Sequence, residues 1–301
     1  MEPWIIATLA AAFFQTLRFA VQKRLTAPEP GGAGLTAVGA TWARFLYSAP
    51  HLAVGVGVWF GATGASFPDL SGAFWLYAVL GGIAQILATV CVVMLFSFRA
   101  FAVGLTFKKS EVLQTALVGW IVLGDSVSVG ALAALVVGFL ALSVLSAPPK
   151  DAAWGEALRA VGLGVASGAF FAIAGVSYRG ATLEIDAPLA LQAAVALMIV
   201  TAIQSSLMAL WLGWRDRPDA ARTLRAWRPG VAMGIFSLLG SLGWFVAFAQ
   251  QNAAYVFALG QVELLFGLIM GRVFFAEQPS RRELVGMGLL VGSMIWLVAV
   301  I

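Results

Sequence analysis

The sequence predicts an all-α membrane protein in which ten transmembrane helices form two inverted five-helix repeats, and three observations carry that prediction. Hydrophobic residues make up 61% of the 301-residue chain and charged residues only 11%, with a mean hydropathy of +0.94; a soluble domain carries about 25% charged residues. Ten apolar runs are long enough to cross a hydrocarbon layer of about 30 Å. The second half echoes the first at an offset of 152 residues. Because the runs are continuously apolar and do not alternate with period two, a transmembrane barrel is excluded.

In chain order the runs cover 3–22, 36–60, 72–98, 101–123, 127–146, 157–178, 187–212, 229–250, 253–275 and 283–301. Tryptophans stand near many of their ends, among them Trp4, Trp59, Trp75, Trp154, Trp211, Trp214 and Trp227, where an amphipathic indole prefers the interface. Met1-Glu2-Pro3 lacks a basic n-region, and the first run ends in Arg18, Lys23 and Arg24 without a small-residue cleavage site, so it is expected to remain as a spanning helix. The strongest breaker in the chain, Ser146 to Asp151 with Pro148 and Pro149, falls at the midpoint. It divides the sequence into a first repeat, 1–147, a linker, 148–156, and a second repeat, 157–301.

The 152 offset pairs Trp59 with Trp211, Trp75 with Trp227, Gly82 with Gly234, Gly119 with Gly271 and Glu111 with Glu263. Leu and Ala matches are cheap in so apolar a chain, so the Trp, Gly and Glu pairs carry the repeat. Five helices per half is an odd number, which makes the second copy enter the bilayer from the opposite side. Inverted halves of this kind present alternate openings around a midplane site. Basic residues crowd the loops after odd-numbered helices (Lys23, Arg24, Arg99, Lys150, Arg159, Arg215, Arg217, Arg222, Arg225, Arg228, Arg272, Arg281 and Arg282), while the other side holds essentially Arg179. By the positive-inside rule both termini are expected outside the cytoplasm, in a multi-pass protein of a bacterial-type inner membrane.

Glu263 is the costliest side chain, eleventh in its run and near the bilayer midplane, where a charged carboxylate costs roughly 2.5–3.5 kcal/mol on insertion scales. Its neighbours three and four away are Leu259, Gly260, Phe266 and Gly267, none basic, so its partner must come from another helix. Lys109 is a candidate for that partner. Glu111 occupies the same place in the first half, with Lys108 three residues earlier as a local ion-pair partner. Arg44, about nine residues into its run, is too deep for easy snorkelling and suits a substrate carboxylate or phosphate, or a structural pair with a buried glutamate. Arg18, Gln15, Gln85, Gln261 and Tyr255 complete the candidate substrate- and proton-binding set, and Gly260 with Gly267 are small enough to open space beside Glu263.

The stretches SEVLQTALVGWIVLGD, from Ser110 to Asp125, and GQVELLFGLIMGRVFFAE, from Gly260 to Glu277, close the fourth helix of each half. With ten helices in two fives, the chain resembles EamA-type carriers of the drug/metabolite transporter superfamily. The resemblance implies a membrane carrier, not an enzyme. It departs at two points: Val112 and Leu264 stand where the family often has proline after the glutamate, and the family is usually placed with both ends in the cytoplasm.

Buried carboxylates beside buried Lys and Arg suit a zwitterionic, amino-acid-like solute moved by alternating access, with proton coupling through Glu263 as a hypothesis. The expected partners are that small solute and the bilayer, with a monomer sufficient because the halves are fused, and nucleic acid is not among them. A lipid flippase of the same superfamily is the rival reading. An intramembrane enzyme is poorly served: Asp125 lacks a companion aspartate, His51 is the single histidine, and with Cys91 the single cysteine no metal cluster or cofactor is expected.

Overall fold

A computed structural model describes residues 2–27, 34–95, 107–145, 154–266, 269 and 281–301. Among these, every regular element is a helix: α1 (Pro3–Thr26), α2 (Ala37–Thr63), α3 (Gly72–Leu95), α4 (Glu111–Leu123), α5 (Val129–Leu145), α6 (Trp154–Leu183), α7 (Leu189–Arg215), α8 (Arg217–Arg225), α9 (Trp227–Gln250), α10 (Ala253–Gly260) and α11 (Arg281–Val300). Six of them (α1, α2, α3, α6, α7 and α9) are long and apolar enough to cross a membrane, and four shorter apolar helices accompany them.

Local sequence explains the boundaries. Pro3 opens α1, where a missing N–H costs nothing, and the Thr36 hydroxyl caps α2 by accepting from the Gly39 amide. Gly64 and Gly124 close α2 and α4 with φ of 64° and 69°, a conformation most residues avoid. Small residues then let helices approach: α1 packs on α9 so closely that a Cβ on Gly243 would lie 2.7 Å from the Ala7 carbonyl oxygen.

Three sequence expectations change. The run expected at 157–178 is the longer α6, so Trp154–Glu156, assigned to the linker, is helical and Arg179 lies within a helix, not in a loop. The polar α8 is an addition, because an apolar-run search passes over a helix built from Arg217-Pro218-Asp219. The Asp216 carboxylate starts it by accepting from the Asp219 amide. The runs expected as unbroken helices at 101–123 and 253–275 are interrupted near their glutamates; 101–106, Gly267, Leu268 and 270–275 lie outside the described residues, as do Arg99, Lys150, Arg272 and Glu277.

The bundle is tied at both ends. At one, the Thr36 amide donates to Asp219 at 3.2 Å and its hydroxyl donates to the same buried carboxylate, which also pairs with Arg222 at 3.0 Å. At the other, Arg179 on α6 pairs with Asp125 after α4 at 2.7 Å and donates to the Phe248 and Gln251 carbonyls at 2.9 and 3.0 Å, joining α4, α6 and α9.

Candidate functional site

The helix breaks fall at corresponding places in the two halves. Phe107 and Lys108 are helical, Lys109 and Ser110 form a turn, and α4 starts at Glu111. In the second half α10 stops at Gly260, Gln261 and Val262 turn, and helix resumes at Glu263. Both turns tighten to i→i−3 bonding: the Val112 amide donates to the Lys109 carbonyl at 3.4 Å, and the Leu264 amide to the Gln261 carbonyl at 3.0 Å. No proline is involved, so the helices break here without the residue that the family often carries after its glutamate. The first break rests on α6 at Gly168, where a Cβ would stand 2.8 Å from the Lys108 carbonyl oxygen and 3.2 Å from the Glu111 amide.

These turns deliver the carboxylates to a shared charged layer. Lys109 forms an ion pair with Glu263 across the halves, with the lysine 2% and the glutamate 11% exposed. Lys108 pairs locally with Glu111 at 2.8 Å while its ammonium stands 4.6 Å from the Phe171 ring centre. Gln261, which occupies the place of Lys109 in the second half, donates to Glu111 at 3.4 Å. Each half thus sends the side chain two residues before its own glutamate to the other half's glutamate. The second oxygen of Glu111 and the Gln261 carbonyl oxygen are buried without a hydrogen-bond partner among the described residues.

Glu263 is also held from α1. Gln15 donates to its other oxygen at 2.5 Å and accepts from the Trp244 indole at 3.2 Å. Gln15 and Trp244 line a small central cavity with Gln85, Tyr178, Ser241 and an aromatic wall that includes Phe171, Phe245 and Phe257. Its free volume is about 20 Å³, room for one water and far below the roughly 300 Å³ at which ligand pockets begin. Gln85 accepts from Tyr178 at 3.0 Å and from Gln204 at 2.9 Å, so it is fixed within a buried amide–phenol network.

Arg44 is fully enclosed among three hydroxyls: it donates to Ser237 at 3.1 Å, Thr89 at 3.2 Å and Ser241 at 3.3 Å. Among the described residues no glutamate pairs with it. Arg18 donates to Gln22 at 2.7 Å, its guanidinium 4.1 Å from the Phe19 ring centre, and Gln22 donates in turn to the Ala40 carbonyl at 3.3 Å, one helical turn before Arg44. Tyr255 packs in an apolar cluster with Val112, Leu135 and Leu297, away from this layer's polar contacts. The space beside Gly260 is taken by Trp244, whose ring would collide with a Cβ placed there.

Sequence reasoning missed Trp244, Tyr178, Ser237, Ser241, Thr89, Gln204 and Gly168. One signal was present: Thr89 and Ser241, both bound by Arg44, stand 152 residues apart, the offset that also pairs Glu111 with Glu263.

Comparison with known proteins agrees with this architecture. A solved structure described only as "Crystal structure of protein" superposes with a TM-score of 0.69 at 14% identity, covering 99% of this chain and 96% of its own, which shows a shared fold over the whole length. No curated protein sequence matches. Residues 158–299, from α6 to α11, match the EamA-like transporter family. On that match, this stretch, just under half of the chain, is similar to EamA-type membrane transporters of the drug/metabolite superfamily.

Proposed function

We propose that the protein is a secondary carrier for a small polar or zwitterionic, amino-acid-like metabolite. It works by alternating access between two inverted five-helix halves, with Glu263 as the proton-coupling carboxylate. The observation that carries this reading is the ion pair of Lys109 and Glu263, made between the halves at a helix break. Broken helices at half depth are where carriers assemble their sites. A bare carboxylate there is disfavoured, so Glu263 crosses the closed state only when neutralised by Lys109, by a solute ammonium, or by a proton. That requirement couples conformational exchange to occupancy. The proposed setting is a bacterial-type inner membrane, with both termini outside the cytoplasm and the fused pair of halves acting as a monomer.

The test is uptake and efflux of a panel of radiolabelled amino acids in proteoliposomes across a pH gradient. Glu263→Gln should abolish the pH dependence while the protein stays folded and monodisperse; unchanged pH dependence in the mutant overturns proton coupling.

A second reading, lipid translocation, is favoured by two apolar grooves of about 340 and 240 Å³ on the outside of the bundle. One includes Val38, Leu87 and Trp211, the other Trp59, Ala190 and Leu239, and these residues are repeat mates. Fluorescent-lipid flipping without amino-acid flux in the same proteoliposomes would select it.

A further inference from the structure

The described residues treat their buried cations unequally. Lys108 meets Glu111, Lys109 meets Glu263 and Arg179 meets Asp125, whereas Arg18 and Arg44, each 2% exposed, meet no carboxylate among the described residues. Arg44 has three neutral hydroxyls at 3.1–3.3 Å, longer than the roughly 2.7–2.9 Å of a charge-assisted bond to an anion. Arg18 adds a second positive charge nearby: its partner Gln22 donates to the Ala40 carbonyl at 3.3 Å, one helical turn before Arg44 on α2. A buried charge without a counter-charge is expensive, and two together more so, unless an anion completes them.

The position of the pair indicates which anion. Ser241, bound by Arg44, lines the same central cavity as Gln15, which holds Glu263. One cavity therefore has a guanidinium behind one wall and a carboxylate behind another, with aromatic rings between them. A zwitterion whose ammonium faces Glu263 turns its carboxylate toward Arg44.

We propose that Arg44 and Arg18 form a buried oxyanion subsite that takes the carboxylate of the transported solute. The subsite rests on the carrier reading for its biological use, but its anion chemistry can be measured alone. On binding, the carboxylate replaces the Ser237, Thr89 and Ser241 hydroxyls as the partner of Arg44 and relieves its repulsion with Arg18. The one-water cavity means that loading requires the halves to part first.

The test is the melting temperature of the purified, detergent-solubilised protein against sodium acetate, sodium phosphate and methylammonium chloride at matched ionic strength. Acetate should stabilise the wild type at concentrations where the methylammonium control does not, and Arg44→Gln and Arg18→Gln should each weaken that effect at least about tenfold, the loss of one charge-assisted anchor. In anion-poor buffer Arg44→Gln should melt no lower than the wild type, because it removes an uncompensated charge; a purely structural arginine would melt lower when replaced. Should Arg44→Gln fail to fold, the subsite is refuted on that count, and Arg18→Gln provides an independent check. Stabilisation by phosphate alone, or an acetate effect that survives both substitutions, also overturns it. Arginine-dependent acetate binding in a protein that moves no amino acid would sink the carrier reading and leave the subsite standing. Amino-acid transport that survives both substitutions would do the reverse.

Discussion

Lys109 and Glu263 form an ion pair across the halves, and Gln261, two residues before Glu263, donates back to Glu111 at 3.4 Å. The exchange is reciprocal in position but not in charge, since a lysine reaches one glutamate and an amide the other. Removing either member of the charged pair strands the other, at roughly 3–5 kcal/mol. Lys109→Gln and Glu263→Gln are each expected to lower the melting temperature, and the double substitution should cost less than the two added together. A thermal-denaturation double-mutant cycle in detergent checks this; strict additivity would mean that the pair is not formed.

Gly168 tests the break itself. A methyl group there would stand 2.8 Å from the Lys108 carbonyl oxygen, so Gly168→Ala must push the turn away from α6. The expected cost is about 1–3 kcal/mol of overpacking, with solute flux falling more than the amount of folded protein does. Flux and yield measured side by side decide it.

Arg179 governs one end of the bundle. It binds Asp125 and two carbonyls of the α9 terminus, so Arg179→Ala releases three elements together. A cysteine introduced at Ser241, on the wall of the central cavity, should react faster with a membrane-impermeant thiol reagent once Arg179 is gone, in a background where Cys91 is replaced. Equal labelling rates with and without the arginine would rule out a gating role.

Asp219 governs the opposite end. Its carboxylate serves the Thr36 amide and hydroxyl together with Arg222 and has no exposed surface. Asp219→Ala leaves the start of α2 without its tie, and a loss of roughly 2–4 kcal/mol is expected from the broken charge-assisted bonds. A lower melting temperature for Asp219→Ala in detergent is the measurement that checks it; an unchanged value would mean that the tie contributes nothing.

The legible part of this protein was the part written in hydropathy and charge. Long apolar runs announced α1, α2, α3, α6, α7 and α9, and an isolated carboxylate at half depth announced that Glu263 needed a partner from another helix. Lys108 beside Glu111 was readable from spacing alone. The breaks at Lys109–Ser110 and Gln261–Val262 were not, because neither carries proline and their i→i−3 bonding depends on what the neighbouring helices offer. Arg44 was visible as a deep arginine, but its hydroxyl partners come from α3 and α9, and nothing in linear order brings them together. The short α8 failed for the opposite reason: its signal is capping chemistry, which a search for greasy segments ignores.

The unequal chemistry of the two matched turns has a directional consequence. In the alternating-access carrier proposed above, halves alike in every side chain would make inward and outward openings mirror states of equal weight. Here one turn holds a lysine salted to its own glutamate, whose second oxygen has no partner among the described residues, and the other leaves its glutamate to borrow a lysine from across the interface. Under the alternating access proposed above, swapping the roles of the two turns does not return the same energy, and the carrier is expected to lean toward one side of the membrane before any gradient is applied.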